Sequence, residues 1–302
     1  MGIMKTLAKL FRCILLLVCI HYSRVALSTD IDDIVLVGST PGDEAFKAAL
    51  AIPGETKIDF IRWNLILRGG NSFILDIHYG ESKPNTLGFI EDGEKKSFQG
   101  TYSVSQGSKF DKIFHLKSAD LFSELMMARL SENVFQLLSF ENRMVVGNGG
   151  WSYSLNRRDP VPNNQILITS TITDNESLHL VYEGRTPCQE IDKDHPEINA
   201  APSCFKIKWR LILNKDSLTH QPTTCSIRNI VNNEPRDVSG KWEIITGTET
   251  RPGAIVYKIL ADNLADPIFF LVGDDNVLFF LDNDKEPLVG NQDFSFTMNR
   301  RR

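Results

Sequence analysis

Apolar and polar residues alternate in short runs along most of this chain. Trp63, Leu65 and Leu67 alternate with Arg62, Asn64 and Ile66, and Phe73, Leu75 and Ile77 alternate with Ser72, Ile74 and Asp76. A period of two is the mark of strands with one buried face. Gly69-Gly70-Asn71 between these runs, and Asn214-Lys215-Asp216-Ser217 further on, are hairpin signals. The pattern predicts further strands near 98–104, 112–117, 126–131, 134–139, 143–147 and 151–156, and again near 240–246, 255–261, 268–273, 277–282, 287–290 and 294–299. Ala119 to Arg129 has helical spacing, but its counterpart contains Pro267, so a loop or a single turn is expected there.

The second set of strands mirrors the first because the chain repeats itself. Residues 131–158 align without gaps on 274–301, so that VGNGGWSYSLNRR meets VGNQDFSFTMNRR. Earlier, GSTPG (38–42) meets GRTPC (184–188), IRWNLIL (61–67) meets IKWRLIL (207–213), and Gly100-Thr101-Tyr102 meets Gly240-Lys241-Trp242. Four blocks in one order indicate a duplicated unit, and two copies are too few for a solenoid, so each copy is expected to close on itself. Seven or eight short strands per copy in sequential hairpins predict an all-β protein of two tandem antiparallel up-and-down, lipocalin-like β-barrels. A sandwich is the rival, but tight turns such as Asp274-Asp275-Asn276 and Asn283-Asp284-Lys285 suit a meander. The expected organisation is a signal peptide at 1–28, a first barrel at 30–160, a linker at 161–177 and a second barrel at 178–302. The repeated phrase is read as the closing hairpin of each barrel, its Gly-Asn turn setting register and its aromatics entering the core.

Composition narrows the classes. Among 302 residues, 42% are hydrophobic and 24% charged, and the net charge of −5 leaves no electrostatic footprint for nucleic acid. Lys5, Lys9 and Arg12, the apolar run CILLLVCI and the small residues at Ala26 and Ser28 read as a secretory signal peptide. The mature chain is then expected to begin near Thr29 without a transmembrane segment, and to reside in the periplasm, the cell envelope or outside the cell. Cys19 follows Val18, so no lipid-anchor motif is present. Export leaves Cys188, Cys204 and Cys225 in an oxidising compartment, an odd number in which any disulfide leaves one thiol. Asn175-Glu176-Ser177 fits the N-glycosylation triplet.

The blocks carry a resemblance. Tyr182-x-Gly184-x-x-Pro187-Cys188, a strand with Trp209-x-Leu211-x-Leu213, a strand with Gly240-x-Trp242 and a final hairpin at Leu281-Asp282 together resemble the N-terminal domain of NlpE-like copper-resistance lipoproteins. That resemblance implies a small lipocalin-like barrel in the bacterial envelope, with copper and envelope-stress signalling linked to a Cys-x-x-Cys. Cys188 matches the family's first cysteine, whereas Ile191 stands at the second, and the first copy has Gly42 and Ala45 there.

Candidate chemistry centres on Cys188, Asp192, Asp194, His195 and Cys204, with His220 and Cys225 on the next hairpin. A disulfide between Cys188 and Cys204 would close a polar loop, and Cys188–Cys225 is the competing bridge. The same Cys188, Cys204 and His195 are candidate metal ligands, of a kind that a soft ion such as Cu(I) selects, and copper is the cofactor they would take. Trp63, Trp151, Trp209 and Trp242 are candidate cavity aromatics, which either line a site for a small apolar ligand or fill the barrels. Gly147-Asn148-Gly149-Gly150 precedes a strand and reads as a turn, not a phosphate loop. Ser39 and Ser152 lack a G-x-S-x-G frame, and His78, His115, His179, His195 and His220 have no counterparts between copies, so no nucleophile with a base is expected. The expectation is an exported, non-catalytic binding module of the bacterial envelope with a link to copper homeostasis or envelope stress. The alternatives are an interaction barrel without a ligand, a carrier of an apolar small molecule, and, as the catalytic reading, an uncharacterised hydrolase. The partner is then an envelope protein or a small apolar molecule.

Overall fold

The structure, a computed structural model, describes residues 33–174, 176–188, 191–198 and 204–301. The signal-peptide segment and Asn175 of the glycosylation triplet lie outside the described residues, as do the side chains of Asp192 and Asp194. The first barrel runs through β1 (Ile34–Pro41), β2 (Phe60–Arg68), β3 (Ser72–Gly80), β4 (Glu94–Ser105), β5 (Ile113–Lys117), β6 (Leu125–Arg129), β7 (Val134–Leu138) and β8 (Ser154–Arg157). The second runs through β9 (His179–Thr186), β10 (Ile207–Lys215), β11 (Pro222–Val231), β12 (Glu234–Thr246), β13 (Ile255–Ala261), β14 (Ile268–Asp274), β15 (Val277–Leu281) and β16 (Thr297–Arg301). Within each, every strand pairs antiparallel with the next, and closure comes from β1 on β8 and β9 on β16. The fold is therefore the expected pair of closed, eight-stranded, up-and-down barrels.

The repeated blocks explain closure. Gly38 and Gly184 sit where the first strand of each barrel crosses the closing strand. A Cβ there would lie 2.7 Å from the Ser154 carbonyl oxygen and 2.4 Å from that of Thr297, respectively. The Thr-Pro that follows has its own purpose. Trp63 donates its indole N–H to Thr40 Oγ1 at 2.9 Å, and Trp209 donates to Thr186 Oγ1 at 2.9 Å. The GxTP block and the tryptophan strand are thus two halves of one buried hydrogen bond, as a buried indole requires.

One mouth of each barrel is plugged by the chain between its first two strands. In the first copy this is a helix, α1 (Glu44–Ala49), capped by Asp43, whose side chain accepts from the Phe46 amide at 3.0 Å. Phe46 stacks on Tyr153 inside the barrel. The adjacent acids Asp43-Glu44 are thus a helix start. In the second copy the same excursion carries the short helix α2 (Ile191–Asp194), and Ile191 and Ile198 enter the core.

The segments 143–147 and 287–290, expected as strands, form no ladder and keep an isolated bridge each, Leu138 with Met144 and Leu281 with Pro287, beside the bonds from Val145 N to the Leu137 carbonyl and from Leu288 N to the Phe280 carbonyl. They leave the ladder at their glycines, whose amides are used across the molecule. Gly147 N donates to Asn299 Oδ1 at 2.6 Å, and Gly290 N donates to Asn156 Oδ1 at 2.8 Å. Ser152 Oγ meets Ser295 Oγ at 2.5 Å and Ser154 Oγ meets Thr297 Oγ1 at 2.7 Å, each pair 143 residues apart. Equivalent residues meeting each other, and exchanged pairs, define an isologous interface about a pseudo-two-fold axis. The repeated phrase holds each closing strand, β8 and β16, but not the hairpin expected of it, since 143–147 and 287–290 form no strand, and it is also the surface by which the barrels join.

Beside that axis a third apolar cluster lies between the barrels. Phe110, Leu130 and Val134 of the first barrel meet Leu271, Val277 and Phe279 of the second. Ile166 and Ile168 of the expected linker are buried in the same cluster, bridging to Ser131 and Phe110. The connection is a packed strap.

Candidate functional site

The cysteine cluster resolves as a disulfide. Cys188 and Cys204 are bonded, and Cys225 is a buried free thiol. With their sulfurs bonded to each other, Cys188 and Cys204 present no thiolate to copper. Burial, and secondarily Asp262, pushes the Cys225 thiol up to about 11, so it stays protonated at neutral pH. Among the described residues no group of three or more His, Cys, Asp or Glu side chains is placed to hold a metal ion, and His195 is buried. The bridge replaces a packing contact of the first copy, where Gly42 lies against Ile58 at the positions matching Cys188 and Cys204.

Three of the four tryptophans lie inside. Trp63 packs in the first barrel with Phe73, Tyr79 and Phe135, and Trp209 and Trp242 pack in the second with Tyr182, Phe270 and Phe280. Trp151 does not enter its barrel. It stacks on Phe60 at 4.9 Å between centroids, with the Arg185 guanidinium of the second barrel 5.4 Å from its ring. The period-two alternation that would have turned it inward begins only at Tyr153, because the chain before it serves the interface. Among the described residues no helix is long and apolar enough to cross a membrane.

Two clefts reach the seam. One, of about 830 Å³, is lined by Lys109 and Arg143 from the first barrel, Thr173, Asp174 and Ser177 from the strap, and Asp274, Asp275 and Arg300 from the second. Its charges satisfy one another. Lys109 pairs with Asp274 at 3.5 Å, and burial lowers its ammonium pKa in spite of that partner. Arg300 reaches Asp174 at 2.7 Å and Ser177 Oγ at 2.9 Å. A hydrogen bond from Ser177 and the charge of Arg300 hold the Asp174 carboxyl far below the usual carboxylate range. Asp275 accepts from the Thr173 and Asp174 amides, so this cleft clamps the strap.

A second groove is different in charge. Two adjoining hollows of about 550 and 370 Å³ share Val37, Arg158 and Gln292 and together expose Arg62, Lys95, Lys96, Arg157 and Arg158 against Asp76. Register sets Arg62 opposite His78 and His78 opposite Lys95 on one rung of β2, β3 and β4. Arg62 is anchored by the Leu87 carbonyl at 2.7 Å and by Asp293 of the second barrel at 2.5 Å, and its buried Nε has no partner. Among the described residues Lys95 and Arg157 form no ion pair. Lys96 has no acidic partner either, its Nζ donating to the Ala51 carbonyl, so a chain of net charge −5 has gathered three such cations around one groove.

A third arrangement brings a hydroxyl, an imidazole and a carboxylate together. Ser105 Oγ lies 2.7 Å from His115 Nε2, and His115 Nδ1 lies 2.6 Å from Glu124 Oε1. Lys117 holds the other Glu124 oxygen at 3.0 Å. Burial pushes the Glu124 carboxyl up, but the hydrogen bonds from His115 and Lys117 outweigh it and bring it below its ordinary value. Sequence reasoning missed this set because it joins a strand end, a strand and a loop that no motif links. The one available signal was the alternation placing Ser105 and His115 on outward faces of adjacent strands.

No family model, curated protein or solved structure matches this chain.

Proposed function

We propose that the chain is an exported binding module that takes an anionic ligand in the basic groove along the seam of its two barrels. The observation that carries this reading is the groove itself, five basic side chains against Asp76, three of which, Lys95, Lys96 and Arg157, have no acidic partner among the described residues. The filled barrels support an external site, since Trp63, Trp209 and Trp242 occupy the space a lipocalin-type ligand would need. The Cys188–Cys204 bridge is consistent with export to an oxidising compartment. Arginine forks and a lysine point charge together suit a ligand with more than one phosphate or carboxylate group.

Isothermal titration of the purified full chain with inorganic tripolyphosphate, and separately with citrate, at low salt tests the proposal. Binding at one site is expected, weakened about tenfold or more in Lys95→Gln/Arg157→Gln, equivalent to about 1.4 kcal/mol. The control Lys57→Gln/Lys241→Gln removes the same charge from exposed positions outside the groove. Absence of heat with both anions, or equal weakening in both double variants, refutes the site.

A further inference from the structure

We propose that Ser105, His115 and Glu124 form a hydrolytic triad for small carboxylic esters on the outer face of the first barrel, an activity separate from ligand binding in the groove. The connectivity is that of a serine hydrolase. The hydroxyl meets one imidazole nitrogen at 2.7 Å, and the carboxylate meets the other at 2.6 Å. A carboxylate on Nδ1 holds that nitrogen protonated and leaves Nε2 free to accept the seryl proton.

The fold explains how the three meet. In β4 the odd-numbered residues face outward, since Phe98 is in the core and Tyr102 packs against it. In β5 Phe114 and Leu116 are in the core, which turns His115 outward. Ser103 is directly opposite His115, so Ser105 is its diagonal neighbour, within reach of an imidazole. Glu124 comes from the turn before β6, tied to β5 by Lys117. The charged groups facing His115 are therefore Glu124 and, through it, Lys117.

The parts suit acyl transfer. Ser105 is exposed, whereas the His115 and Glu124 side chains are 22% and 24% exposed, so the nucleophile is open and its base is sheltered. β4 ends at Ser105, which leaves the Gln106 amide past the end of the ladder, the position beside a nucleophile from which an oxyanion donor acts.

The reaction balances with water alone. Ser105 Oγ forms a bond to the ester carbonyl carbon while its proton passes to His115 Nε2. The carbon–oxygen bond to the leaving alcohol then breaks, and the alkoxide takes that proton. Water next adds to the acyl-serine as His115 accepts its proton, and that proton returns to Ser105 Oγ as the carboxylic acid leaves. Ser105 and His115 are the catalytic residues, and Glu124 is a positioning residue.

The test is hydrolysis of p-nitrophenyl acetate and covalent labelling by diisopropyl fluorophosphate, both on the purified full chain, with the adduct located by peptide mass. A single adduct on Ser105 is expected, absent in Ser105→Ala and His115→Gln, with ester hydrolysis falling to the rate in buffer. Glu124→Gln should slow labelling about 10²- to 10⁴-fold, with Glu124→Asp restoring part of the rate. Matched thermal unfolding of each variant separates loss of chemistry from loss of fold. No adduct on the folded wild-type chain, an adduct elsewhere, or hydrolysis unchanged in Ser105→Ala overturns the proposal. Anion binding in the groove is read independently and survives any of these results.

Discussion

Thr40 and Thr186 show how a turn residue can be a core residue. Each threonine accepts the indole proton of the tryptophan 23 positions later. A valine has the same shape without the acceptor, and a buried donor left alone costs about 1–3 kcal/mol. Thr186→Val is therefore expected to lower the unfolding free energy read from a urea titration by that amount, and Thr40→Val by a similar one. Pairing of the GxTP block with the tryptophan strand was legible as a repeat, but its meaning was not, since nothing in a linear chain says that Thr40 faces Trp63. Cys225 makes a second prediction. Its thiol is pushed up to about 11 by burial, whereas an unfolded thiol ionises near 8.5. As pH rises between these values the unfolded chain loses a proton the folded chain keeps, so this group's contribution to stability declines. Urea midpoints at about pH 8 and about pH 10 should separate further for the wild type than for Cys225→Ala.

Among the elements, the excursion between the first two strands of each barrel is where the copies have diverged. The first copy uses a capped helix and the Gly42–Ile58 contact, and the second uses a disulfide at the matching positions. In the chain-entropy account, closing a loop of this length stabilises by about 3 kcal/mol. Cys188→Ala/Cys204→Ala should lose about that much in a urea titration, while Cys225→Ala loses no crosslink. Period-two alternation located most strands because one face of each meets a core and the other meets water. It failed at 143–147 and 287–290, where the amides of Gly147 and Gly290 serve the other barrel. The sequence did hold a sign of that contact. IFFLV at 268–272 and VLFFL at 277–281 are continuous apolar runs, and both are buried throughout. Such runs mark strands covered on both faces.

Across the whole molecule, the covered face joins two barrels into one cooperative body. Their shared cluster includes Phe110, Leu271 and Phe279, with Ile166 and Ile168 of the strap between them. A single calorimetric unfolding transition is expected. Phe279→Asp places an unpaired charge in that cluster and should either split the transition in two or lower it by several degrees. The pseudo-two-fold hydrogen bonds also make the strap dispensable for cohesion. A chain cut by a protease at a site inserted after Val161 should still run as one species on size exclusion.

Alternating side chains, turn residues and a repeated order of blocks were enough to define two closed up-and-down barrels, because these are local properties that backbone geometry converts directly into strands and hairpins. The odd cysteine count left the pairing open, and folding decided it by bringing Cys188 to Cys204 and walling Cys225 into the core. The seam, the basic groove and the Ser105–His115–Glu124 set arise between segments distant in the chain or joined by no motif. The first two depend on which outward faces meet, which the docking of one copy on the other settles, and the third depends on the register of β4 against β5 and on the turn before β6.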